Sequence, residues 1–346
     1  MRLTLTRPDD WHLHLRDGAA LASVLPATAR RFARAIVMPN LKPPVTTVAA
    51  ARAYRDRILA ALPRGAVFTP LMTLYLTDRT EAAEIAAAKA SGFVHAVKFY
   101  PAGATTNSEN GVTDWRHVRP ALAAMEQHGL PLLLHGEATD TDVDVFDRER
   151  VFVERTLPPL RRDFPGLRLV LEHVTTADAA DFVRTADANV AATVTPQHLL
   201  WNRNELFRGG VRPHAWCLPV LKRERHRQEL LKAATTHPRF FLGTDSAPHA
   251  RHSKETSCGC AGIYSAPAAI ELYAEAFESV GALDRLEEFA SLRGPDFYGL
   301  PRNTQQITLR QQPWTMPAEV PFGEHTLVPM RAGEVIRWRL DDGQQN

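Results

Sequence analysis

Short apolar runs recur along this chain: WHLHL (11–15), ARAIVMPN (33–40), VFTPLMTLYLT (67–77), FVHAVKFY (93–100), LPLLLHGE (130–137), LRLVLEHVT (167–175), NVAATVTPQH (189–198) and RFFLGTDSAPH (239–249). Between them lie segments of helical spacing rich in good helix formers, such as VAAARAYRDRILAAL (48–62) and EAAEIAAAKASG (81–92). Glycines that can stop a helix follow at Gly92 and Gly129. Strand–helix alternation predicts a parallel sheet. Eight units over about 240 residues match a (β/α)8 TIM barrel, which typically takes about 250.

Barrels of this kind carry their chemistry at the C-terminal ends of the strands. There the apolar pattern breaks. His12 and His14 sit in the first run, Asn40 ends the second, and Lys98, His135, His173 and Asp245 lie at or near the ends of the fourth, fifth, sixth and eighth. In WHLHLRDG, His12, His14 and Arg16 alternate with Leu13 and Leu15, so period two places the three polar groups on one face. Taken singly, each has a plain structural reading: a strand-end histidine is usually a hydrogen-bonded loop residue, and a lysine usually snorkels to water. Their convergence on one rim is what those readings do not explain.

Composition narrows the field. The 346 residues carry 41 basic and 39 acidic side chains, a net charge of +2, which gives no basic surface for nucleic acid or membrane. No apolar run approaches a spanning helix, and MRLTLTRPDD has no signal-peptide core. Cys217, Cys258 and Cys260 cannot form a disulfide framework, so a cytoplasmic location is expected. Cys258-Gly-Cys260 with His249 and His252 offers a rival, closed structural zinc site, though no second cysteine pair supports it. His95, His117, His128, His226, His237 and His325 read as surface or helix-end residues, Cys217 as a small buried hydrophobe, and His198 as a rim residue without an assigned role.

Four histidines and an aspartate suit zinc, which favours N and O donors. Lys98 is the odd member, because a protonated lysine repels a cation. A neutral amine, its pKa lowered by burial, can react with carbon dioxide to give a carbamate (N6-carboxylysine). Its two oxygens can bridge two metals, which together activate water and polarise a carbonyl.

In that order, His12-Leu-His14, Lys98, His135, His173 and Asp245 resemble the binuclear-metal amidohydrolase superfamily. WHLHLRDG, VMPNLKPPVTT, KFYPAGATTNS, HGE, EHVTT, TPQHL, GGVRPH, CLPVLKR and GTDSAPHARHSKETSCGCAG are together similar to the short, homodimeric type of dihydroorotase, from about residue 3 to residue 340. The resemblance implies two Zn2+ per subunit: His12, His14 and Asp245 on the more buried one, His135 and His173 on the other, carboxylated Lys98 bridging both, and Asp245 as the proton shuttle. It implies reversible closure of N-carbamoyl-L-aspartate to L-dihydroorotate in pyrimidine synthesis, by a cytoplasmic homodimer acting on a small molecule.

For an anionic substrate, the planar fork of Arg16 suits a carboxylate, and the resemblance adds His14, Asn40, His135, His249 and the backbone near Leu218 and Ala261 as contacts. The segment 101–113, PAGATTNSENGVT, is longer than most βα loops. It reads as a lid with Thr105 and Thr106 at its tip, or else as a plain surface loop. Arg16 could instead pair with Asp17 or another rim acid.

Related cyclic amidohydrolases place an N-terminal β-segment before the HxH strand, in a small sandwich with C-terminal strands. Here His12 leaves no room for it, so the expected fold is a barrel over 1–302 with no N-terminal β-sandwich and a C-terminal extension, 303–346, packing on it. Two other functions remain: another cyclic-amide hydrolase of hydantoinase or allantoinase type, distinguished only by Arg16, Asn40 and the loop, and a catalytically dead barrel serving as a structural subunit, distinguished by the absence of bound metal.

Overall fold

In the computed structural model, which describes residues 1–341, a strand β1 (Arg2–Thr6) precedes eight parallel strands. These are β2 (Asp10–Leu13), β3 (Arg34–Val37), β4 (Thr69–Tyr75), β5 (Val94–Phe99), β6 (Leu132–Leu134), β7 (Leu169–Leu171), β8 (Val190–Val194) and β9 (Phe240–Leu242). Each falls on one of the eight apolar runs, β2 beginning one residue ahead of its run, and the strands are hydrogen-bonded in chain order from β2 to β9. The sheet closes into a (β/α)8 barrel at the seam between the first and last units. There Asp245 N donates to His12 O at 2.8 Å, and His14 N to Ser246 O at 3.0 Å.

The helices between strands begin where the sequence supplies caps. Thr47 Oγ1 accepts from Ala50 N at the start of the Val48–Ala60 helix, and Thr176 Oγ1 from Ala179 N at the start of Ala177–Thr185. The helix Arg119–His128 stops at Gly129, whose φ of 62° is left-handed. The segment 81–92 forms a helix over Ala82–Ala90, with Gly92 just beyond it at φ 73°.

Inside the barrel, alternate residues stack in layers, as the strand period requires. The lower layers are apolar: Trp11, Ile36, Leu71, Ala96, Leu133, Val170, Ala191 and Phe241 form one buried cluster with Met38 and Tyr298. The Trp11 indole stacks on Tyr298 at 4.4 Å between ring centroids. Gly294 is a glycine because a Cβ there would overlap that indole.

After the barrel come β10 (Gln306–Thr315), β11 (Val320–Phe322), β12 (His325–Leu327) and β13 (Val335–Leu340). One expectation needs correction here. The stretch before His12 does have room for a strand, because an extended residue advances about 3.3 Å and a handful suffice. Strand β1 pairs antiparallel with β10, from Arg2↔Arg310 to Thr6↔Gln306, and β10 pairs with β13. The result is a single three-stranded sheet joining both ends of the chain, not a sandwich. Residues 342–346 of the expected extension lie outside the described residues.

Candidate metal centre and pocket

Ligand-type atoms of His12, His14 and Asp245 lie within 4.8 Å of one another, and this is the one group of three or more histidine, cysteine or acidic side chains so placed among the described residues. Their partners set the tautomers. The His12 Nδ1–H donates to Glu172 Oε2 at 2.8 Å, and the His14 Nδ1–H to Asn40 Oδ1 at 2.8 Å. Both Nε2 atoms then face Asp245 Oδ1, at 3.3 and 3.1 Å. With a cation among them both Nε2 atoms would offer it their lone pairs; with none, a proton on Nε2 makes the ring a donor to the Asp245 carboxylate.

His173 and His135 continue the cluster. Ring centroids of His12 and His173 are 4.9 Å apart, and those of His173 and His135 4.8 Å. His135 Nε2–H donates to Glu137 Oε2 at 2.7 Å, which leaves Nδ1 as its free donor atom. The buried Nδ1 of His173 has no hydrogen-bond partner. Lys98 is fully buried on β5, and its Nζ also has no partner. An unpaired buried ammonium is costly. Burial pushes the Lys98 amine down to about 8, against the opposing pull of Glu172 and Asp245. An amine that burial makes easier to deprotonate, beside free histidine nitrogens, fits the donor set of a metal site, and fits carboxylation of the amine as well.

Charge follows the same layout. Burial pushes His14 down to about 4 and His173 well below the usual histidine range. Burial is the largest influence on His12 and lowers it, but Glu172 and Asp245 together more than offset it and the net shift is upward. Burial alone would raise Asp245; the hydrogen bonds with His12 and His14 reverse that and hold it well below the usual carboxylate range. His173 and Asp245 adopt left-handed backbone, φ 41° and 45°. Such conformations cost about 1–3 kcal/mol and cluster at functional sites.

The pocket above this cluster is lined by His12, His14, His135, His173 and Asp245 together with Arg16, Asn40, Tyr100, Thr105, Thr106, Leu218 and Ala261. Arg16 arrives differently from the alternation reading. Strand β2 ends at Leu13, and a left-handed turn at Arg16, φ 60°, swings the side chain inward. Its Nε donates to Pro248 O at 2.9 Å, and Nη2 lies 2.9 Å from His249 Nε2. His249 thus stands one layer behind the guanidinium. Asp17 does not pair with Arg16; it takes Arg57, at 2.8 and 2.9 Å. Asn40 is committed on both sides, to His14 and, through Nδ2, to Thr106 O at 3.1 Å.

The segment 101–113 lies down over the pocket in this structure. Thr106 Oγ1 donates to Ala261 O at 3.4 Å, and Asn107 Nδ2 to Asn40 O at 3.0 Å. The cavity left beneath it is only about 20 Å³, space for about one water molecule. That is less room than a ring-sized ligand takes.

The rival zinc site is not assembled. His249 is engaged with Arg16, His252 packs on the His325 ring at 4.5 Å, and Cys258 is exposed. Cys217 is buried, as its sequence context suggests. His198 is buried between Thr195 Oγ1, 2.7 Å, and Pro219 O, 3.1 Å. Sequence reasoning missed the orienting carboxylates Glu137 and Glu172, and Tyr100, whose ring lies 5.0 Å from Lys98 Nζ. The signal was present in HGE and EHVTT, where an acid adjoins or nearly adjoins each histidine.

A parallel barrel with histidines, a lysine and an aspartate on its C-terminal rim defines a class, and the chain belongs to it: residues 9–314 match the model of the Amidohydrolase family. Within that family its relatives are dihydroorotases. It is 68% identical over 339 residues to the dihydroorotase of Cupriavidus necator, covering 98% of each chain. Among solved structures, the dihydroorotase of Campylobacter jejuni superposes with a TM-score of 0.90 at 34% identity, over 98% of this chain and 97% of that one. The Saccharomyces cerevisiae dihydroorotase in complex with 5-fluoroorotic acid also gives 0.90, at 32% identity over 98% of each. Membership of this family makes the protein a metal-dependent hydrolase. No helix among the described residues is long and apolar enough to cross a membrane.

Proposed function

We propose that this protein is a dihydroorotase, interconverting N-carbamoyl-L-aspartate and L-dihydroorotate in pyrimidine synthesis. The observation that carries this is the convergence of His12, His14 and Asp245 beside a buried, unpartnered Lys98, beneath a pocket walled by Arg16. The relatives' shared name specifies the ring, and a pyrimidine carboxylate, 5-fluoroorotic acid, is bound by the yeast enzyme.

His12, His14 and Asp245 would hold one zinc ion and His135 and His173 a second, with Lys98, carboxylated on Nζ, between them. The ions supply Lewis acidity toward the ring carbonyl and a lowered pKa for water. The chain does the rest. Glu172 and Glu137 fix the His12 and His135 tautomers. Arg16, backed by His249, offers its guanidinium to the substrate carboxylate. Asp245, held ionised, takes a proton from the attacking water and returns it to the leaving ring nitrogen; closure runs the same transfers backwards. Asn40 and the threonines of 101–113 close over the bound ring and exclude water.

In this reading the barrel spans 1–302, the described part of the segment 303–346 packs on it, and the working unit is a cytoplasmic homodimer. The β1–β10–β13 sheet supports the packing of the extension. The test is hydrolysis of dihydroorotate against hydantoin, with metal counted per chain and a crystal structure at Lys98. Turnover of dihydroorotate with two zinc ions and a carboxylated lysine is expected. Preference for hydantoin, or plain lysine with both metals present, would overturn the corresponding part. Arg16→Met should raise the KM for dihydroorotate roughly tenfold to a few hundredfold, the worth of a charged bidentate contact. An unchanged KM removes Arg16 as the anchor.

A further inference from the structure

Leu218, Ala261 and Gly262 form one part of the pocket wall, and one side chain outside the pocket holds the backbone there in place. Lys254 ends the short helix Arg251–Lys254 and is 4% exposed. Its ammonium donates to Trp216 O at 3.1 Å, Cys260 O at 2.9 Å and Gly262 O at 2.5 Å. An ammonium has three protons and no acceptor, so three converging carbonyls use it fully. Two of the carbonyls flank Ala261, and the third lies two residues before Leu218.

The Cys260–Ala261 peptide is trans, since the cis bonds are Lys42–Pro43 and Leu218–Pro219. In a trans unit the carbonyl and the N–H point in opposite directions. With Cys260 O drawn to Lys254, the Ala261 N–H is turned away from it, on the side where Ala261 lines the pocket. Its neighbours are spent: Cys260 N donates to Ser253 O and Gly262 N to Trp216 O, each at 3.0 Å. The Ala261 N–H has no such bond among the described residues. Ala261 O meanwhile accepts from Thr106 of the segment over the pocket.

We propose that Lys254 is a positioning residue: by holding the carbonyls around Ala261 it aims the N–H of that residue, whose backbone the resemblance already implies as a substrate contact, into the pocket as a donor to the substrate ring. The inference rests on the proposed function, because a cyclic amide supplies the carbonyl acceptor. It acts on binding, since Lys254 touches neither the metal ligands nor the reacting atoms.

Two variants test it. Lys254→Met removes the clamp. Replacing Ala261 with lactic acid by suppressor incorporation changes the amide to an ester, which deletes the N–H and weakens the Cys260 carbonyl as an acceptor for Lys254. Each should raise the KM for dihydroorotate about tenfold to a hundredfold. The kcat should stay within a few-fold and the metal content should be unchanged. The two effects together should be less than additive, because they act on one contact. An unchanged KM in the ester variant overturns the proposal, as does a Lys254→Met protein that loses kcat and metal at constant KM. If Lys254→Met does not fold, the ester variant decides alone. Wild-type turnover of dihydroorotate, measured alongside, reports on the reading of the site; the ratio of variant to wild-type KM reports on Lys254.

Discussion

The lower and upper halves of the barrel interior are built from the same strands, one period-two step apart, and they are chemically opposite. Ala96 is followed on its face by Lys98, Leu133 by His135, Val170 by Glu172, Ala191 by Thr193 and Phe241 by Gly243. Below, Trp11, Phe241 and Tyr298 fill the space with stacked and edge-on rings. Above, the amine of Lys98 and the Nδ1 of His173 are buried without partners. The lower half contributes hydrophobic burial, although the Trp11 Nε1 and the Tyr298 hydroxyl there also lack partners, while the upper half adds unpaired ionisable nitrogens and left-handed backbone at His173 and Asp245. One half secures the barrel so that the other can hold reactive groups in place.

The comparison is broken most severely at Asp245. Asp245→Asn should lower turnover in both directions by about 10²–10⁴-fold, the worth of a general acid–base. The fold should survive, because the seam bond from the residue 245 amide to His12 O is main chain. Steady-state kinetics with circular dichroism check this, and a variant that spares one direction rules out a single shuttling carboxylate. Trp11→Ala makes the opposite cut. It should cost about 3–5 kcal/mol of stability while the folded fraction keeps its kcat within a few-fold, read from urea unfolding and cold-temperature assays. Equal losses of activity and stability would mean the two halves are not separable. Gly294→Ala should act in the same way, through its overlap with the indole.

Between these extremes, Glu172→Gln weakens a contact that orients His12 without removing a ligand. Metal affinity should fall about 10–100-fold, by competition with a chelator, with little change in melting temperature. Unchanged affinity would make Glu172 a filler of the barrel rather than a support for His12. The smallest effect should come from Thr106→Ala. It deletes one neutral hydrogen bond to Ala261 O, so KM should rise roughly two- to tenfold at unchanged metal content. Loss of metal in that variant would mean that the segment over the pocket supports the centre itself.

Sequence legibility followed the range of the interaction. Period-two runs and helical spacing are local, so the eight strands, their helices and the stop at Gly129 could be read directly. The strand ends were less legible: β2 stops at Leu13 although the alternation continues to Arg16, because a left-handed turn, not the pleat, delivers that guanidinium. The pairing of Arg2–Thr6 with Gln306–Arg310 joins residues some three hundred positions apart and leaves no local signal.

The sequence determined which residue types stand at which strand ends, and so the repertoire of chemistry: imidazoles, a lysine in an apolar strand, an aspartate, an arginine near the mouth. Tertiary structure decided which atoms of those residues are free. Closing the barrel put the amide of Asp245 on the carbonyl of His12. It spent the Nδ1 protons of His12 and His14 on Glu172 and Asn40, and turned the carbonyls around Ala261 toward Lys254. Hydrogen-bond direction depends on neighbours brought together by folding, and no spacing along the chain encodes it.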